Sequence, residues 1–520
     1  MQSVALEIYF FFVLYILVQL YYSPVMKLHF LFANIVVLAT SSVSAWTPSL
    51  RKPPQIKKTA TSSSPSSSPP KAIAIPLDEA TNTNPGITEE QQQQQDARQN
   101  LSPRDTWIAN LDYEAFGKEV AQLGKELLQD TGSKDVEHLQ KMVNWRNAAA
   151  VVGIATMWMA PNPLSVLALS TWTYASWTMI AHHTCHGGYN RVDAGKFNSR
   201  GFALGTLRRR VSDWLDWMEP EAWNIEHNRL HHYRLNELHD PDLVQRNLEF
   251  VRDSNEPMLM KYAKVFAFMP IWKWFYYAPN TFKELQLAQW KKETGQELPE
   301  QIDPTDPVTV RTLMLPLTGA EREMLKIVNP LAFFSRVVGP FFFMRFVLLP
   351  LPLLAIPAVG PSLFTNAMIN LILAELLTNI HGFVTIVTNH AGEDLYTFSD
   401  AVKPKTSSFY VRQIVGSANY AAGKDWIDFS HGFLNYQIEH HVWPDLSMRQ
   451  YQIGAPRLKA VCKKYGVPYK QESVLERLRK TVDIMVGKTT MRPFPADYEP
   501  AKDKALNGVS WKNTNGAIDE

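Results

Sequence analysis

The chain has 520 residues, with 52 Lys and Arg against 50 Asp and Glu, a net charge of +2 and a pI near 8.2. So even a balance, with no basic stripe, argues against a nucleic-acid partner. The two cysteines, Cys185 and Cys462, exclude a disulfide framework, thiolate zinc sites and iron–sulfur clusters as the main chemistry. Mean hydropathy of −0.19 averages polar termini with very apolar middle stretches, near which Trp and Tyr gather as at a membrane interface.

Residues 5–22 are apolar, and a second apolar run follows Met26. Read from Met26, Lys27, the run from Leu28 to Thr40, and Val43-Ser44-Ala45 have the layout of a signal peptide cleaved before Trp46. From Trp46 to Pro76 there are five Lys/Arg, many Ser and Pro, and no Asp or Glu, a transit-like composition. The expectation is a targeting presequence over 1–76, with a membrane anchor at 5–22 as the alternative. The SSSPSSSPP and QQQQQ tracts cannot bury a core, and 77–104 is read as a disordered linker. Residues 105–147 carry helical periodicity (Leu111, Phe116, Val120, Leu123, Leu127) and are expected to lie amphipathically ahead of the membrane.

Two short apolar runs, 148–160 and 164–181, flank Pro161-Asn162-Pro163 and read as a hairpin. A second apolar pair spans 337–360 and 364–388. Arg345 in it must snorkel or pair, and Asn370, Glu375, Asn379 and His381 should face the bundle interior. Residues 262–277, with Trp272, Trp274, Tyr276, Tyr277 and Lys273, suit a helix lying in the interface. The 280–329 insert has no histidine and no role legible in its sequence. The fold class is an all-α membrane protein: about four transmembrane helices in two hairpins under a cytosolic or stromal helical cap. The main domain covers 148–470, with a C-terminal helix and polar tail over 471–520.

Of 14 histidines, 12 fall between His182 and His441. They cluster as HHTCH (His182, His183, His186), HNRLHH (His227, His231, His232) and QIEHH (Gln437, His440, His441), with His239, His381, His390 and His431 between. His182 and His186, like His227 and His231, are i,i+4 and share a helical face, while His232 points about 100° away. HExxH is missing, which removes that type of zinc protease, and no histidine follows a glutamate by three residues, which removes ferritin-like ligation. Seven or more box histidines exceed one ion's coordination. Imidazole-rich ligation suits iron, copper or zinc, and two irons are the simplest reading. Two crossings separate the first two clusters from the third, so all three emerge on one membrane face.

These clusters, with HDPD after the second and NHAGEDLY before the third, resemble the three histidine boxes of the membrane fatty acid desaturases over roughly 145–467. Glutamine at the head of the third box resembles front-end and some bacterial and algal acyl-lipid enzymes, while His183 stands where front-end enzymes commonly carry aspartate. The resemblance implies a di-iron centre, O2 as co-substrate, two external electrons, and a cis double bond in an acyl-lipid substrate. It implies metal ligation by His182, His186, His227, His231, His232, His390, His440 and His441, with Gln437 as weak ligand or neighbour. His183, His239 and His431 are expected beside the metals, and Asp240 and Asp242 to orient ligand imidazoles. A sphingolipid desaturase, a carotenoid hydroxylase or ketolase, and a metal-storing membrane protein are the alternatives. The chain carries no GxGxxG fingerprint and no haem-ligand pair, so the electrons must come from a separate protein. Ferredoxin is expected if the presequence directs the chain to plastid thylakoid or envelope, cytochrome b5 if it stays in the ER membrane. Arg208–Arg210, Arg449, Arg457, Lys459, Lys463 and Lys464 are the expected docking cations.

Overall fold

The computed structural model describes residues 101–505. The predicted presequence, and the predicted linker up to residue 100, lie outside them. Residues 111–505 belong to one compact unit, while 101–110, with the short helix Thr106–Asn110, belong to another.

The larger unit is helical. Its principal helices are α1 (Tyr113–Gln129), α2 (Ser133–Thr156), α3 (163–185), α4 (220–234), α5 (Met258–Phe268) and α6 (273–294). They continue with α7 (Pro330–Ala355), α8 (Gly360–Ile386), α9 (Ser407–Val415), α10 (Gln437–Val442), α11 (Met448–Tyr465) and α12 (Val474–Met485). Among the described residues, strand pairing amounts to a two-residue parallel ladder, Tyr396–Thr397 with Arg492–Pro493, and isolated bridges.

Two stretches are long and apolar enough to cross a membrane, Pro330–Ala355 and Gly360–Asn389. Helices α2 and α3 form a shorter hairpin beside them. The turn between these two is fixed by side chains, because Pro161 and Pro163 remove backbone donors there. Asn162 caps α3 by accepting from Ser165 N–H at 3.0 Å. From α8, the fully buried Asn370 donates to the Met157 and Met159 carbonyls (2.8 and 3.0 Å) and accepts Asn162 N–H at 3.2 Å. Further along, Ser170 meets Thr378 (3.0 Å) and Tyr174 meets Thr385 (2.7 Å). These polar pairs fix the register of α3 on α8, around an apolar cluster that includes Val166, Leu169, Phe341, Phe346 and Leu371. Asn370, Glu375 and Asn379 face inward as expected. Arg345 also turns inward rather than snorkelling: it bonds Thr173 Oγ1 (2.9 Å) and the Leu169 carbonyl, and lies over Trp172.

One expectation is corrected. The stretch 262–277 is not one interfacial helix. Only α5 exposes an apolar face (Met258, Leu259, Met260, Phe266); Trp272, Lys273 and Tyr277 are buried. Lys273 is drawn in by Glu375 (2.6 Å) and Asp216 (3.6 Å), and Trp272 donates to the Asn379 carbonyl. Helix α1 has the amphipathic face expected of it, and that face packs on protein. Phe116, Val120, Leu123 and Leu127 are buried against α9 and α11, and a side chain at Gly124 would collide with Trp443.

Replacing Asn370 by Leu leaves two carbonyls and one N–H of the α2–α3 turn unpaired. Thermal unfolding in detergent should show a loss of about 2–3 kcal/mol; an unchanged midpoint would mean the turn does not depend on α8.

Candidate metal centre

The last turn of α3, the second half of α4, the end of α8 and all of α10 meet at one buried place. Five histidines, His182, His186, His227, His232 and His440, bring ring nitrogens within 4.8 Å of one another. His231, His390 and His441 form a second such group beside them. The two groups adjoin through the stacked rings of His232 and His441, 4.4 Å apart.

Local backbone decides who joins which group. Both Ser176–Ala181, before the first box, and Glu226–His231, across the second, are π-helical. A π turn adds a residue per turn, so i and i+5 come together. His227 therefore pairs with His232 (Nε2–Nε2 3.3 Å), and His231 goes to the other group. His227 and His231 nonetheless keep the neighbouring positions expected of them: their rings stack 5.2 Å apart, and with Asp242 they form a third group of possible ligands. His182 and His186 keep their i,i+4 relation, and the third box splits, His440 to one group and His441 to the other.

Hydrogen bonds at Nδ1 turn several rings inward. His182 uses the Thr178 carbonyl (3.2 Å), His231 uses Asp240 (2.9 Å), His441 uses Gln413 Oε1 (3.2 Å), and His440 meets the Tyr451 hydroxyl (3.3 Å). This leaves their Nε2 atoms facing each other, with His182 Nε2 2.9 Å from His440 Nε2 and 3.2 Å from His227 Nε2. Asp240 is held by the N–H groups of Asn236 and Asp242. Trp223 stacks on His227 and helps close the site to water.

Burial first, and then the neighbouring imidazoles, hold the seven histidines other than His231 well below the usual imidazole range. For the same reason they stay neutral, with lone pairs available. For His231 burial pulls the same way, but the Asp240 carboxylate overcomes it and raises the value. His186 Nε2 and His441 Nε2 are buried and make no hydrogen bond. Converging imidazole nitrogens, most on neutral rings and some without a partner, fit metal ions, and eight histidines fit two.

Of the other expected residues, Gln437 donates to His390 Nε2 at 3.1 Å and so stands beside the second group. Asp242 lies 3.9 Å from His231 Nδ1; burial pushes its carboxyl up to about 6. His183 packs against His440 and Tyr451 but donates away, to the Met179 carbonyl. Two expectations are corrected: His239 is exposed at the surface, and His431 turns to the Ile427 carbonyl and Tyr420 rather than to the cluster. Gln413, Tyr451 and the Thr178 carbonyl escaped the sequence reading, since no spacing links them to the boxes.

A cavity of about 130 Å³ reaches His390 and Asp242 between walls that include Phe268, Trp272, Phe383 and Ile386. Pro307 and Thr309 of the insert close one side of it. The insert is fastened there by the buried Lys283, which donates to the Pro304 and Asp306 carbonyls (2.8 and 3.1 Å).

A histidine whose value is depressed on folding binds fewer protons folded than unfolded, so stability falls as pH drops through the unfolded value of about 6.5. Seven such groups make this steep, each contributing up to about 1.4 kcal/mol per pH unit. Denaturation of metal-free protein at pH 7.5, 6.5 and 5.5 should show stability falling over the first step and falling about threefold more over the second. A flat profile would contradict the neutral cluster.

The match to a family model for fatty acid desaturase covers residues 156–473. The NADPH-dependent stearoyl-CoA 9-desaturase of Mycobacterium tuberculosis is 22% identical over 386 residues, 72% of this chain and 79% of that protein. Fatty acid desaturase 3 of Bos taurus is 24% identical over 328 residues (62% and 60%). Acyl-lipid 8-desaturase of Rebecca salina is 23% identical over 306 (58% and 57%). No solved structure matches the chain. With the model covering more than half of the chain, including every residue of the histidine cluster, the protein belongs to the fatty acid desaturase family and is an oxidoreductase of that kind.

Proposed function

We propose that this protein is a membrane acyl-lipid desaturase with a di-iron centre, which inserts a cis double bond using O2 and two external electrons. The observation that carries the reading is the pair of buried histidine groups beside an apolar cavity that reaches His390. Abstraction of hydrogen from an unactivated methylene is beyond side-chain acids and bases; bound iron would supply the O2-activating chemistry it needs. His182, His186, His227, His232 and His440 would hold one ion, and His231, His390 and His441 the other, with Gln437 alongside. In overall balance, the substrate loses two hydrogens while O2, two electrons and two protons complete the formation of two waters. The chain's own residues fix the geometry: Asp240, Gln413 and the Thr178 carbonyl orient rings, Trp223 excludes water, and the cavity wall would align the acyl chain. The α2–α3 and α7–α8 hairpins would supply four membrane crossings, with the head group kept at the interface.

Replacing His390 or His441 by Ala should abolish product and leave about one iron per chain, since the second group has three imidazoles and no spare. Replacing His440 should abolish product as well. His239→Ala, at an exposed position, should keep full iron and turnover. Metal analysis with fatty acid profiling of an expressing host measures both; wild-type iron and product in His390→Ala would end the assignment.

The electron donor is proposed to be ferredoxin, in a plastid membrane, with cytochrome b5 in the ER as runner-up. Charge steering should be modest. Arg457 is paired with Glu126, Lys464 with Glu119, Arg449 with Asp135 and Arg209 with Asp213, and Arg210 is buried beside Glu219, leaving Arg208, Lys459 and Lys463 without an ion pair among the described residues. Turnover with ferredoxin should fall as salt rises from about 0.05 to 0.5 M. Turnover with cytochrome b5 but not ferredoxin would overturn the donor and the plastid location together.

A further inference from the structure

A second cavity, of about 300 Å³, lies apart from the apolar one, between α2, α3, α7 and the 211–216 loop. We propose that it binds the phosphate-bearing head group of a membrane lipid. Arg146, Lys196 and Arg345 line it, together with Asp213 and Asp216. The acids are already taken: Asp213 by Arg209 (3.0 Å) and Lys196 (3.6 Å), Asp216 by Lys273 (3.6 Å). Glu375, which also acts on Arg345 through space, is held by Lys273 at 2.6 Å. Arg146 and Arg345 are left as two guanidiniums with no carboxylate within 4 Å among the described residues.

The hydrogen bonding points the same way. Two buried donors in the wall, Arg146 Nε and Trp214 Nε1, have no acceptor, and no acceptor in the wall is orphaned in the same way. The missing partner is therefore an acceptor, and uncompensated positive charge makes it an anion. A phosphate group offers several acceptor oxygens to guanidinium and indole donors at once. Exposed Val151 on α2, and Phe343 and Val347 on α7, provide apolar surface within about two turns of these arginines, as the acyl chains of such a lipid require. The proposal rests on the membrane reading of the two hairpins and on no turnover, so it stands or falls separately from the desaturase activity.

The test uses the purified full-length, iron-loaded protein and measures binding by tryptophan fluorescence. Three probes are compared: a short-chain phosphatidylglycerol, a glycosyl diacylglycerol of the same chains without phosphate, and inorganic phosphate. Phosphatidylglycerol should bind at least about tenfold more tightly than the glycolipid, and Arg146→Gln should remove that preference while iron content stays at the wild-type level. Trp214→Phe, which keeps an aromatic side chain at the position while removing the N–H donor, should weaken phosphatidylglycerol binding in the same direction. Competition by inorganic phosphate would support the anion site and assign recognition to the phosphate alone; no competition, with the preference intact, would assign it to the lipid as a whole. Equal binding of the two lipids, or a preference unchanged in both variants, would overturn the proposal.

Discussion

The surrounding structure keeps eight imidazoles facing one another in the interior, seven of them held neutral and the eighth, His231, paired with Asp240. Such a cluster is unfavourable without metal. Each ring loses hydration, several ring nitrogens find no partner, and any proton added is repelled by its neighbours. It persists because the surrounding elements leave the rings nowhere else to go. Four chain segments far apart in sequence supply the ligating positions, and each is fixed from outside the cluster. Asn370 ties α8 to the α2–α3 turn, α1 and α2 brace the segment carrying the third box, and Asp240 is itself held by two backbone N–H groups.

The two π-helical segments are central to this. A π turn is rarely favoured by itself, and its appearance beside two of the three boxes is tolerated because neighbouring packing over-determines the backbone. The effect is to bring His232 to His227, while His231, still stacked on His227, reaches His390 and His441. One helix thereby contributes to both histidine groups.

Buried polar groups between the helices follow a similar logic. Lys273, Asp216 and Glu375 form a buried ionic group, which contributes less to net stability than to the position of its members, since desolvation offsets most of the attraction. It draws the start of α6 into the bundle, and with it Trp272 and Tyr276, which wall the apolar cavity. The insert without histidines also has a place: Lys283 folds it back so that Pro307 and Thr309 complete that wall.

The sequence by itself determined the reaction class and the ligand types. Histidine boxes are local in sequence, and the structure brings all three to one place. His390 and Asp240 were legible too, through their positions beside the boxes. The partition of ligands into five and three was decided only by tertiary structure, because a π turn leaves no mark in residue spacing. So was the burial of 272–277, where an ionic partner on α8 outweighs the interfacial character of Trp, Tyr and Lys. His239 and His431 looked like ligand neighbours because they are close along the chain, yet one faces solvent and the other a backbone carbonyl. Gln413, 28 residues from His441, lies against it in space. A sequence states which groups are available; long-range packing, which pairs residues without regard to their separation along the chain, decides which of them meet.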